Sequence, residues 1–160
     1  MELASLRQGE RGMDPNCRRV HDAFLASCAR APRAPALLGL DKASYTYADL
    51  LEMSRSVQAC LLPHSPKGAA TDVLVGIFME RSASFFAALF GTMLNGMGYV
   101  PVSTKYEEGR IQYILDFSQP IAVLSYAPHM AQVQSQLPCI DVSSLPPPPS
   151  AIKSEVTRGN

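Results

Sequence analysis

Residues 73–79, VLVGIFM, are apolar at every position. A strand with one wet face alternates apolar and polar side chains, so an unbroken apolar run of strand length needs protein on both faces. The rest of the chain must therefore supply layers above and below it.

The residues downstream do this in alternation. Ser82 has the chemistry of a helix cap, and Phe85, Phe86, Leu89, Phe90, Met93 and Leu94 then cover most of a helical circumference. That pattern predicts a helix sandwiched deeply between layers. YVPV at 99–102 reads as a short strand, Ile111, Ile114 and Leu115 as an amphipathic helix, and IAVLS at 121–125 as another buried strand. A weaker helix at 128–136 and a strand CIDV at 139–142 complete the run. Strand-helix alternation implies right-handed crossovers and a mostly parallel sheet flanked by helices, an α/β class.

Upstream, Val20, Phe24 and Cys28 share a helical stripe with Ala23 and Ser27 beside it, and RAPRAP at 30–35 predicts an end near Ala31. ALLGL at 36–40 and SYTY at 44–47 flank DKA, the pattern of a hairpin with a tight turn. Thr46 and Asp49 have capping-box spacing, and Leu50, Met53, Val57 and Leu61 continue a helix to about Leu62. Residues 63–72 are rich in breakers. The expected organisation is a polar leader at 1–19, one folded unit at 20–143, and a mobile proline-rich tail at 144–160 that opens with LPPPPS.

Fourteen basic residues balance fourteen acidic ones, which gives no field to recruit nucleic acid or an anionic membrane. The longest apolar stretch, at 85–102, is broken by Gly91, Asn95, Gly96, Gly98 and Pro101, so no spanning helix is expected. The first residues carry no signal-peptide pattern, and a cytoplasmic location is expected. Cys17, Cys28, Cys60 and Cys139 form no C-x-x-C pair, and His21, His64 and His129 do not join them at zinc spacing. They read as incidental thiols and as surface or capping histidines, with no metal site.

Gly91 and Gly96 have the spacing of a phosphate loop, but Met97 and Gly98 stand where lysine and a hydroxyl residue belong. They also close a helix instead of opening one, where amides are already bonded internally. The same reversal removes a dinucleotide reading of Gly96 and Gly98. Gly96 is expected to stop the helix. Asp72, Glu80 and Arg81 flank the central strand and are expected to be structural, although Glu80 and Arg81 lie at the end where parallel sheets form sites.

Five ordered segments carry a resemblance: VHDAF with ARAPRAPAL (20–37), SYTYADL (44–50), VGIFMERS (75–82), GMGYVPV (96–102) and RIQYILDFSQPIAVLS (110–125). Together they resemble the opening of adenylate-forming enzymes, in particular the adenylation domains of nonribosomal peptide synthetases. Ser103 and Thr104 stand where that family usually carries an aspartate, and Leu94 where it carries a lysine. The resemblance implies activation of a small carboxylate with ATP and magnesium, then transfer to a phosphopantetheine or coenzyme A thiol. In the family the phosphate loop, the catalytic acids, the specificity pocket and the lysine of the mobile domain lie later in the sequence. No catalytic, cofactor-binding or metal residue is carried over to this chain. The expectation is the N-terminal portion of such a ligase, inactive alone, as a truncated gene model, a splice product or one exon's worth. The alternative is a noncatalytic interaction module of the same fold.

Overall fold

A computed structural model describes residues 19–38, 43–65, 73–133 and 136–145. Its elements, in order, are α1 (Val20–Arg30), β1 (Pro35–Leu38), β2 (Ser44–Thr46), α2 (Tyr47–Leu61), β3 (Leu74–Phe78), α3 (Ala83–Leu94), β4 (Gly98–Val102), α4 (Glu108–Ser118), β5 (Val123–Ser125), α5 (Ala127–Met130) and β6 (Cys139–Asp141). The expected leader and tail fall almost wholly outside the described residues.

The apolar run at 73–79 is the central strand that its composition demands. β3 lies between β4 and β5 in a four-stranded parallel sheet of order β4-β3-β5-β6. Its side chains alternate between two cores. Val75 and Ile77 join Phe24, Leu50, Val57, Leu61 and Ala88 on one face, and Phe78 joins Val102, Ile111, Leu115 and Val123 on the other. β4 is the edge strand next to β3, which is where Pro101 is tolerated, since proline lacks a ladder donor.

α1 to α3 cover the first face and α4 the second. β1 and β2 pair antiparallel as the predicted hairpin, with the turn outside the described residues. Thr46 caps α2 in the expected way: its hydroxyl accepts from Asp49 N, and its own backbone N–H donates to the Asp49 carboxylate at 2.9 Å. Phe24 of α1 stacks on Phe90 of α3 with centroids 3.9 Å apart. Val20, placed on the same stripe in sequence, is instead 71% exposed at the first position of α1.

α3 differs from its expectation in an informative way. Its fully buried line is Ala87, Ala88, Gly91 and Thr92, while Phe85, Phe86, Leu89 and Phe90 are only half-buried. The cause is close approach: a Cβ on Gly91 would sit 2.6 Å from the Ser54 carbonyl oxygen and 2.7 Å from Val57 Cβ. Small residues let α2 and α3 meet almost backbone to backbone, and the large rings pack around that seam. Of the weak helix expected at 128–136, the described residues hold only the single turn of α5, and residues 134 and 135 lie outside them.

Candidate functional site

The chain steps from β3 outward to β4, then crosses back over β3 to β5 and continues to β6. Such a reversal opens a crevice outside the carboxyl ends of the two strands on either side of it, here β3 and β5. The register aligns those ends, with Phe78 opposite both Val102 and Ser125, and Ser125 opposite Asp141. The polar residues next in sequence therefore gather along one edge.

Ser125 is fully buried and donates its hydroxyl proton to the Phe78 carbonyl at 2.7 Å, tying β5 to β3 at the lip of the crevice. Ser82 caps α3 by accepting from Phe85 N and shares a 2.9 Å hydrogen bond with the Tyr126 hydroxyl. Glu80 lies 3.1 Å from His129 Nε2, and the Thr104 hydroxyl also bonds its carboxylate. Partial burial opposes ionisation of Glu80, but its own backbone amide, His129 and Thr104 outweigh this and hold its carboxyl below the usual value. Asp141 is likewise held low, by the Ser143 hydroxyl and backbone amide against slight burial, with help from the Ala127 amide.

Of the charged residues singled out in sequence, Glu80 and Arg81 reach this edge, and Asp72 lies outside the described residues. Glu80 is more than a cap, since it joins the ends of β3, β4 and β5. His129 is correspondingly more than a surface residue: its ring stands edge-on to Phe78 at 5.7 Å. Sequence reasoning missed Ser125 and Tyr126 as members of this cluster; their only signal is their place at the end of a buried apolar strand and directly after it.

The glycines do what their order implies. Gly96 takes φ 72°, and its N–H donates to the Met93 carbonyl while Met97 N–H donates to the Thr92 carbonyl. This is a Schellman stop, and it leaves those amides committed. Burial raises the thiol pKa of both Cys28 and Cys139, which keeps them protonated and poorly nucleophilic. An open hollow of about 570 Å3 lined by Leu115, Asp116, Gln119, Pro120, Gln136 and Leu137 lies at the opposite, amino edge of the sheet. It is remote from the polar cluster. Among the described residues no helix is long and apolar enough to cross a membrane.

Comparison with known proteins decides the family. The profile of the family described as AMP-binding enzyme matches residues 24–157. The chain belongs to the AMP-binding enzyme family. It is 36% identical over 129 residues to tyrocidine synthase 3 of Brevibacillus parabrevis, covering 78% of this chain and 2% of that protein. It is 31% identical over 111 residues to gramicidin S synthase 1 of Brevibacillus brevis, covering 69% of this chain and 10% of that protein. Among solved structures it resembles a four-domain nonribosomal peptide synthetase bound to AMP and glycine, with a TM-score of 0.70 and 21% identity, over 82% of this chain and 10% of that one. A fatty acid AMP ligase from Legionella pneumophila has the same TM-score of 0.70 at 21% identity, over 82% of this chain and 24% of that one. The chain thus spans a small fraction of its relatives' length. Its fold is the N-terminal part of an adenylate-forming enzyme.

Proposed function

We propose that these residues are the N-terminal scaffold of an ATP-dependent ligase that activates a small carboxylate, an amino acid or an acyl group, as its adenylate. The observation that carries this reading is the family match over 24–157, joined to relatives whose names are those of peptide synthetases. In the full-length enzyme, ATP and magnesium would serve the activation, and a phosphopantetheine carrier or coenzyme A would receive the acyl group.

The described residues themselves do not suit a triphosphate. Glu80 and Asp141 place two carboxylates at the carboxyl edge, the Phe85 amide in the first turn of α3 is capped by Ser82, and the glycine-bearing end of α3 has its amides spent. Stabilising charge on a phosphoryl centre calls for oriented free amides and cations. We therefore assign this stretch the task of presenting a sheet edge to the nucleotide-binding part of the ligase, and no adenylation on its own.

A chimera tests the scaffold role. Residues 20–143 would replace the matching stretch of gramicidin S synthase 1, and amino-acid-dependent exchange of ATP with pyrophosphate would be measured. Exchange above background by the chimera is expected. A folded chimera at background, beside an active parent, would refute the role.

A further inference from the structure

α4 covers the second face of the sheet with Ile111 and Leu115, both fully buried, and Ile114 packs beside them. Its outer side carries rings. Tyr113 is 68% exposed and Phe117 82%, and the two stack with centroids 6.2 Å apart and planes 17° from parallel. One turn earlier, the Arg110 guanidinium lies 4.3 Å from the centroid of the Tyr106 ring, which brings that ring, just ahead of the helix, to the same side. Residues 106, 110, 113 and 117 have the spacing of one stripe along a helix. Scattered apolar residues such as Val20 and Leu38 are ordinary on a surface, but three rings and a guanidinium in one row make a patch.

We infer that this row is a self-docking face, against which α4 of a second copy of this chain packs antiparallel. The spacing selects that partner. The intervals along the row are four, three and four residues, the same read in either direction, so an antiparallel copy matches it position for position about a two-fold axis between residues 111 and 112. In that register Arg110 of one copy faces Tyr113 of the other, and Phe117 faces Tyr106. Each copy thus supplies both halves of every contact, a cation for a ring face and a ring for a ring. Charge permits the pairing as well: fourteen basic residues balance fourteen acidic ones, so no net charge holds two copies apart.

Size sets the strength. α4 has 11 residues, about 16 Å of helix axis, too short for the roughly 800 Å2 per partner of a stable complex. The pair is therefore a weak, reversible dimer, half-formed at about 10–100 µM. The inference uses only the outer side of α4 and is independent of the ligase role.

Sedimentation equilibrium of the 160-residue chain from about 1 to about 300 µM tests it, a range that brackets a dissociation constant of this order. A monomer–dimer equilibrium is expected, and Phe117→Ser should weaken it at least about tenfold. Tyr113→Arg sets guanidinium against guanidinium in both symmetric layers and should weaken it by about tenfold or more. Adding Arg110→Tyr to that chain restores a cation and a ring in exchanged places, and should return the association to within about threefold of wild type. Leu38→Ser, on the hairpin beside α2, should leave it unchanged. All these positions are exposed, and an unaltered circular dichroism spectrum checks that each variant folds. A wild-type chain that stays monomeric, assembles beyond a dimer, or associates regardless of Phe117→Ser would overturn the face. A double variant as weak as Tyr113→Arg alone would overturn the antiparallel register.

Discussion

Replacing Gly91 by alanine isolates the contact on which the upper layer rests. In an exposed helix the change would help, since alanine is favoured over glycine by about 1 kcal/mol. Here the new Cβ would lie 2.6 Å from the Ser54 carbonyl oxygen and 2.8 Å from Val57 Cγ1, when ordinary contact begins at 3.4 Å. The nearest obstacle is backbone, so no rotamer change clears it and α2 must move away from α3. Overpacking of this kind costs about 1–3 kcal/mol, and a backbone obstacle puts it at the upper end. Set against the propensity gain, the net loss is about 2 kcal/mol, or roughly 4–8 °C in Tm for a chain of this size. Urea unfolding followed by circular dichroism measures it. Gly109→Ala is the control, because a Cβ there meets nothing within 4 Å, and it should gain about 0.5 kcal/mol. A Gly91→Ala chain as stable as wild type would refute the close approach of α2 and α3.

Other expected outcomes rest on single contacts. Phe24→Ala removes a side chain that is 6% exposed and stacked on Phe90, and should cost about 3–5 kcal/mol in the same unfolding assay. Thr46→Ala takes the cap from α2 and leaves the carboxylate of buried Asp49 with one partner fewer, a loss of about 1–2 kcal/mol. Glu80 and Asp141 both titrate below their ordinary 4.5 and 3.8, so the small stability they add is present at neutral pH and is lost as pH falls through those depressed values. The double variant Glu80→Gln with Asp141→Asn should flatten the acid limb of a Tm against pH curve.

Where side-chain period decided the structure, the sequence was readable. The unbroken run at 73–79 told of two covered faces, and β3 has them; Thr46 with Asp49 told of a helix start, and α2 begins there. The order of glycines against elements also told that Gly96 stops α3, and its positive φ and the two closing hydrogen bonds are there. What was hidden depends on contacts distant in sequence. Ser54 and Gly91 meet 37 positions apart by their numbering, and no local pattern announces that the small residues form the buried line of α3. The edge cluster was hidden for the same reason: His129 reads as an isolated surface residue until parallel register carries it to Glu80, 49 positions earlier.

Calorimetric titration of the 160-residue chain with magnesium and ATP tests the central claim most directly. Heat that never saturates at millimolar nucleotide is the expected result for a scaffold whose glycine-bearing helix end has its amides bonded internally. A single saturating site of micromolar strength would contradict it.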